Sequence, residues 1–503
     1  MAALLGVLWL LGAHQTPAAR AYSPIVTSVS PVYFSRCRVP DSPCAALPDF
    51  AGAPTLNPSA GPASAKAVAV EHAAVLAFLP VNTFTDDIST NGNCTLREAI
   101  IAANENRIVD ACPTGVPGPD VITLTAGLYS LGLPGTGEDA GYTGDLDVTE
   151  ALTIVGAGSG LTAIDAGGLD RVFNIFSGPV ELVGLTLQNG GNVDNGGGIF
   201  NTGTLKLTDV VITGNLAISS VVPVVGGGID NAGTLEMTDS AISFNTARAT
   251  GPANFSDGGG LHSSGAVTLT RTLVNNNQAD SVAGGIGGGI FNEMNLVTLV
   301  DSRVLTNSAH QGGGLYNQGD VALNNSRVSG NTATVGAGMG GGIVNEQGLV
   351  LTGSLVGGNW AQLGAGGIWN KLATATVQID NSSVAGNSVF GGDGGGIVNS
   401  GRLTATATSI EANAALSGGG IHNTGTLFLK NSKLILNGST LTSGGGGGLL
   451  NFGQMRVESS QVLTNSATNL GGGAFNGVAG TLVISNTTVQ ANSAITGGGG
   501  IYN

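Results

Sequence analysis

Four aspartates recur at one place in a repeated pattern: Asp209, Asp239, Asp301 and Asp380. Paired carboxylates about 5–10 Å apart would suit acid–base cleavage of a glycosidic bond. In other repeats Asn325, Asn431 and Asn486 take the same place. Asn for Asp preserves a turn and destroys an acid, so the column reads as a strand-end turn. A polysaccharide lyase would add a basic residue near bound Ca²⁺ and uronate, and no Arg or Lys cluster is present. The histidines are His14, His72, His262, His310 and His422. His262 and His422 share a column six repeats apart, about 29 Å at strand spacing, too far to share a metal. The glycine runs lead into Ile rather than Gly-x-Asp, so a calcium-binding repeat is not indicated. No catalytic, cofactor or metal constellation is expected.

One column carries a different chemistry. It reads Phe200, Asp230, His262, Phe291, Tyr316, Val344, Trp369, Val398, His422, Leu450, Phe475 and Tyr502. From Gly196 onward the chain has 12 aromatic residues, and six lie in this column: Phe200, Phe291, Tyr316, Trp369, Phe475 and Tyr502. Each follows a residue expected to point inward, so the column should face outward. An exposed aromatic stripe would suit contact with a sugar or a protein; rings stacked on one another or covered by loops would be packing alone.

The repeat that creates these columns is Gly-Gly-Gly-Ile-x-Asn, an alternating segment, then Asn-x-Ala. The Ile positions run from Ile199 to Ile501, 302 residues over 11 intervals, about 27 per repeat. A first asparagine column runs from Asn201 to Asn503, interrupted by Ser263; a second runs from Asn215 to Asn492. Between them, Leu205-Lys206-Leu207 and Leu427-Phe428-Leu429 alternate with strand period. A further column, Ile212 to Val489, is almost entirely β-branched. The stretch from the second Asn to the next Ile varies from 8 to 16 residues, as a surface loop would. A leucine-rich repeat has similar length, but its helical or 3₁₀ side is replaced here by glycine runs, which oppose helix. The expected fold is therefore all-β: a right-handed, single-stranded parallel β-helix with buried Ile and Val columns. Stacked amides at the turns should hydrogen-bond from coil to coil.

An open coil stack needs a cap. Thr95 and Glu98 form a Thr-x-x-Glu capping box, followed by Leu96, Ala99, Ile100 and Ala103 on one helical face. This predicts a capping helix. The cysteines are Cys37, Cys44, Cys94 and Cys112, without metal-type CxxC spacing. The expected pairs are Cys94 with Cys112 and Cys37 with Cys44. Residues 1–21 have the apolar run and Ala19-Arg20-Ala21 site of a signal peptide, without a basic start. Residues 22–80, rich in Pro, Ala and Ser, read as a linker or as an unassigned segment.

The chain has 503 residues, 85 of them Gly, and a net charge of −15 with only 17 Lys plus Arg. That balance speaks against nucleic acid and against anionic lipid. No later stretch has the roughly 18 apolar residues of a membrane helix.

The segment Cys94 to Ala99, CTLREA, resembles the motif that names the CSLREA-domain proteins, with Thr95 for Ser. The similarity runs from about Val81 to Phe176 and includes Ile100 to Asn104, Asp120 to Leu124, Gly144 to Asp147 and Leu169 to Phe173. It implies a bacterial, exported, pectin-lyase-like β-helix of the surface-protein kind. The repeats are more loosely similar to those of polymorphic outer-membrane proteins. On this basis residues 81–190 are the CSLREA-like cap and first coils, and 191–503 are solenoid repeats expected to continue beyond Asn503. The expected function is non-enzymatic: an extracellular or cell-surface protein, adhesive or envelope-associated, meeting carbohydrate or protein. The alternatives are a carbohydrate-active enzyme on the same scaffold and an autotransporter passenger.

Overall fold

Stacking a short repeat requires that each residue meet its own equivalent one coil away, and the strand register does this throughout. The structure, a computed structural model, describes residues 76–334, 338–441 and 444–503. The signal-peptide reading of 1–21, most of the linker and the Cys37–Cys44 pair lie outside the described residues. The remainder is a parallel β-solenoid built on a 27-stranded, a 14-stranded and an 11-stranded sheet.

One coil illustrates the plan. Ile229–Asn231 belongs to the 14-stranded sheet. Thr234–Thr238 and Ala241–Ser243 follow in the longest sheet. Asp239 separates them in the left-handed region, φ 52°. Phe244, φ 57°, makes the next corner, and Thr246–Ala249 forms the 11-stranded sheet. The return ends at Gly258, φ 64°, which opens the next glycine triplet. Only this first glycine answers to backbone freedom. A Cβ on Gly228, the third glycine of the preceding triplet, would lie 2.7 Å from Gly260 O, so there the glycine admits the neighbouring coil.

The expected Ile and Val columns are buried as far as Ala474 and Val462; Val489 is half-buried and Ile501 is 41% exposed in the last coil. The asparagines are the polar counterpart of this core. In the second column each Nδ2 donates to the next Oδ1 at 2.9–3.0 Å, from Asn215 to Asn492. Each also ties down backbone, as when Asn245 Nδ2 donates to Ile212 O at 3.0 Å. Buried amides are thereby satisfied along the whole stack. A third ladder was not read from the sequence. At most of the turns of the Asp239 kind, the hydroxyl after the left-handed residue accepts a backbone N–H from the preceding coil, as Ser240 Oγ does from Val210 N at 3.0 Å and Ser302 Oγ from Thr272 N at 3.0 Å.

The helix Leu96–Glu105 carries the expected capping box at Thr95 and Glu98. It covers the first coil: Asn104 Nδ2 donates to Asp147 O at 2.8 Å, and Thr149 N donates to Asn104 Oδ1 at 3.0 Å. The Cys94–Cys112 disulfide is present, with Cα atoms 4.7 Å apart. Arg97 is fully buried, its guanidinium bidentate on Asp86 and donating to Gly141 O, Gly144 O and Asp145 O. The linker reading stops short of residue 80: Phe78–Pro80 is a strand paired with Asp120–Thr123, because Leu79 fills the first coil. No helix among the described residues is long and apolar enough to cross a membrane.

Candidate functional site

The stripe column occupies the middle of each strand in the 14-stranded sheet, in one continuous register. It begins at Asp147 and passes through Asn174 and Phe200 to His262, Phe291 and Tyr316. Its side chains point away from the solenoid interior, and Phe291, Tyr316 and Val344 form a cluster separate from the main core. The column is not open, however. Phe291 is 5% exposed and Tyr316 3%, so the expected stripe of exposed rings is corrected there to packing. The cover comes from the return loops, whose own ladder, Ile286, Gln311, Met339, Gly364 and Asp393, runs coil by coil. Phe200, Trp369 and Phe475 are half-buried, and Tyr502 is exposed.

Two polar groups are set into this covered column. In the first, His262 Nδ1 meets Asp230 Oδ1 at 2.6 Å, and Nε2 lies 3.7 Å from Glu293 Oε2. Asp230 comes from the strand one coil below. Asp257 comes from the longest return loop. Burial pushes the Asp257 carboxyl up to about 6; Glu293 adds to the rise and His262 opposes it. Burial would lower the His262 pKa, but the Asp230 hydrogen bond and the surrounding carboxylates outweigh it and raise the pKa. The carboxylates around the imidazole therefore favour its protonated form. A carboxyl raised by burial beside a second carboxyl group is also the arrangement of an acid–base pair.

In the second group, Tyr316 Oη donates to Glu346 Oε1 at 2.5 Å. Lys371 Nζ donates to Tyr316 Oη at 2.7 Å and to Glu346 Oε1 at 2.6 Å. The ammonium also lies 5.3 Å from the ring centres of both Tyr316 and Trp369. Burial would raise the Glu346 pKa, but hydrogen bonds from Lys371 and Tyr316 overcome it and hold the carboxyl below its usual range.

Loop length picks out the first group. The returns from 215 to 229, 245 to 261 and 277 to 290 span 14, 16 and 13 residues, against 8 from 307 to 315. These three consecutive loops form their own parallel sheet from Val224–Val225, Ser256–Asp257 and Gly285–Ile286. They build a wall beside the Asp230–His262 group. On that wall Val221 is 81% exposed, Phe255 51% and Val282 80%.

The turn aspartates lie elsewhere. Asp209 accepts from Ser159, and Asp239 is bidentate with Arg271. Asp380 does not belong with them: it ends the strand Thr376–Asp380, and Asn381, φ 50°, takes the left-handed turn. Among the described residues no group of three or more His, Cys, Asp or Glu side chains is placed to hold a metal. Neither a family model, nor a curated protein, nor a solved structure matches the chain.

Proposed function

We propose that the chain is an exported, non-enzymatic β-solenoid that presents its loop face to carbohydrate or protein at a cell surface, in an adhesive or envelope-associated role. The observation that carries this reading is the three-loop wall. The ladders leave only the return loops free to vary, and the three longest consecutive ones carry the exposed Val221, Phe255 and Val282. Exposed apolar side chains gathered on adjacent coils mark interaction sites, and these three come from consecutive loops. The Cys94–Cys112 disulfide suits an oxidising compartment. The likeness of residues 81–176 to CSLREA-domain proteins supports the same placement. The test is protease treatment of intact source cells producing a tagged chain. Release of the tag, with Cys94 and Cys112 oxidised, is expected; a protected chain with free thiols contradicts the proposal.

A second reading, a carbohydrate-active enzyme, is favoured by one observation: Asp257 and Glu293 both lie near His262, with Glu293 Oε2 3.7 Å from its Nε2. It is tested by incubating the chain with pectin and neutral polysaccharides and assaying unsaturated uronides and reducing ends. Product formation lost in Asp257→Asn would establish this reading in place of the first.

A further inference from the structure

The aromatic column contains one open gap. Between the bulky Trp369 and His422 the column residue is Val398, in register with both. Two coil steps separate the flanking rings, about 9.6 Å at strand spacing. Val344, the other valine of the column, is fully covered, whereas Val398 is only half-buried. A cleft of about 250 Å³ opens over it, walled by Met339, Leu363, Trp369 and Val398. At one end stand His422 and Asp393, with Nδ1 and Oδ2 3.2 Å apart. His422 Nε2 is buried, with no hydrogen-bond partner among the described residues.

We propose that this cleft binds a single neutral sugar ring of a surface glycan. The proposal rests on the contact reading above and gives it a ligand class. An apolar wall with a few placed polar groups is how small-ligand sites are built. The volume falls below the roughly 300–1,000 Å³ of drug-sized pockets, so it admits one ring and not a folded segment. The Trp369 ring offers a flat apolar surface to the C–H face of a pyranose. Asp393 keeps an exposed carboxylate at the end of this apolar cleft, to which a ring hydroxyl can donate and a purely apolar ligand cannot. Among the described residues no Lys or Arg lines the cleft, and the nearby Lys371 is engaged by Glu346 and Tyr316. An anionic sugar would therefore face Asp393 without compensation.

Isothermal titration of the full chain tests this, with cello-, manno- and N-acetylglucosamine tetraoses as neutral probes and tetragalacturonate as the anionic one. At least one neutral probe is expected to bind. Affinity should fall tenfold or more in Val398→Phe, which fills the gap with a residue type the column already holds. His422→Ala should weaken binding similarly, and both variants should keep the parent melting temperature. Absence of binding by every neutral probe, unchanged affinity in Val398→Phe, or tighter binding of tetragalacturonate overturns the proposal. Cell binding by the parent chain separates the two readings: if it occurs while no neutral probe binds, the cleft proposal alone fails. If the chain binds sugar but no cell surface, the contact reading fails.

Discussion

Asn292 stacks on Ser263, and its Oδ1 is a buried acceptor left without a donor. Along the rest of this column each Asn Nδ2 reaches the next side chain, as Asn292 itself reaches Asn317 at 2.7 Å. Ser263 accepts from Asn231 Nδ2 at 3.0 Å but is too short to pass a hydrogen bond onward. Ser263→Asn should restore the ladder and stabilise the fold by about 1 kcal/mol. Urea denaturation monitored by circular dichroism checks this; a lower midpoint would show that Asn does not fit there.

The cap is held covalently at one point. Cys94 and Cys112 are 18 residues apart in sequence, and closing a loop of that size is worth about 3 kcal/mol. The double variant Cys94→Ser/Cys112→Ser should expose the helix Leu96–Glu105 to hydrogen exchange, while the coils beyond Ile199 keep their protection. Equal protection of the helix in both proteins would show that the buried Arg97–Asp86 pair suffices alone.

Stability should fall as pH rises through neutrality, and Asp147 should account for part of this. Burial pushes its carboxyl up to about 8, and neighbouring carboxylates, Asp145 foremost, reinforce the shift. Its Oδ1 lacks a donor, as does Oδ1 of Asn174, its ladder partner. In the unfolded chain the group titrates near about 4. Between these values the folded state holds a proton that the unfolded state has lost. The contribution is therefore complete below about pH 4 and gone above about pH 8. Asp147→Asn should flatten the dependence of melting temperature on pH between 5 and 8. An unchanged slope would mean that Asp147 is already ionised when folded.

The coil was readable because stacking repeats each requirement: Ile199, Asn201, Ile212 and Asn215 have equivalents in nearly every coil, so periodicity alone exposes them. The capping box was readable because it is local. The candidate site was less so. Asp257 and Ile286 cover the stripe from loops that differ in each coil, so no column announces them. Asp230 and His262 meet across 32 residues of sequence, and only the stacking register joins them. Asp380 and Asn381 were confused by one position, since either residue type suits a left-handed turn. The uneven return lengths were the available signal: the three longest lie next to one another and beside His262.

The presentation of the three-loop wall to a surface is tested most directly by the binding of labelled full chain to intact cells of the source organism. The comparison is with Val221→Ser/Phe255→Ser/Val282→Ser. These side chains are exposed, so folding and melting temperature should be unaffected. A loss of at least tenfold in binding is expected. Binding by the triple variant equal to that of the parent would contradict a contact role for the loop face.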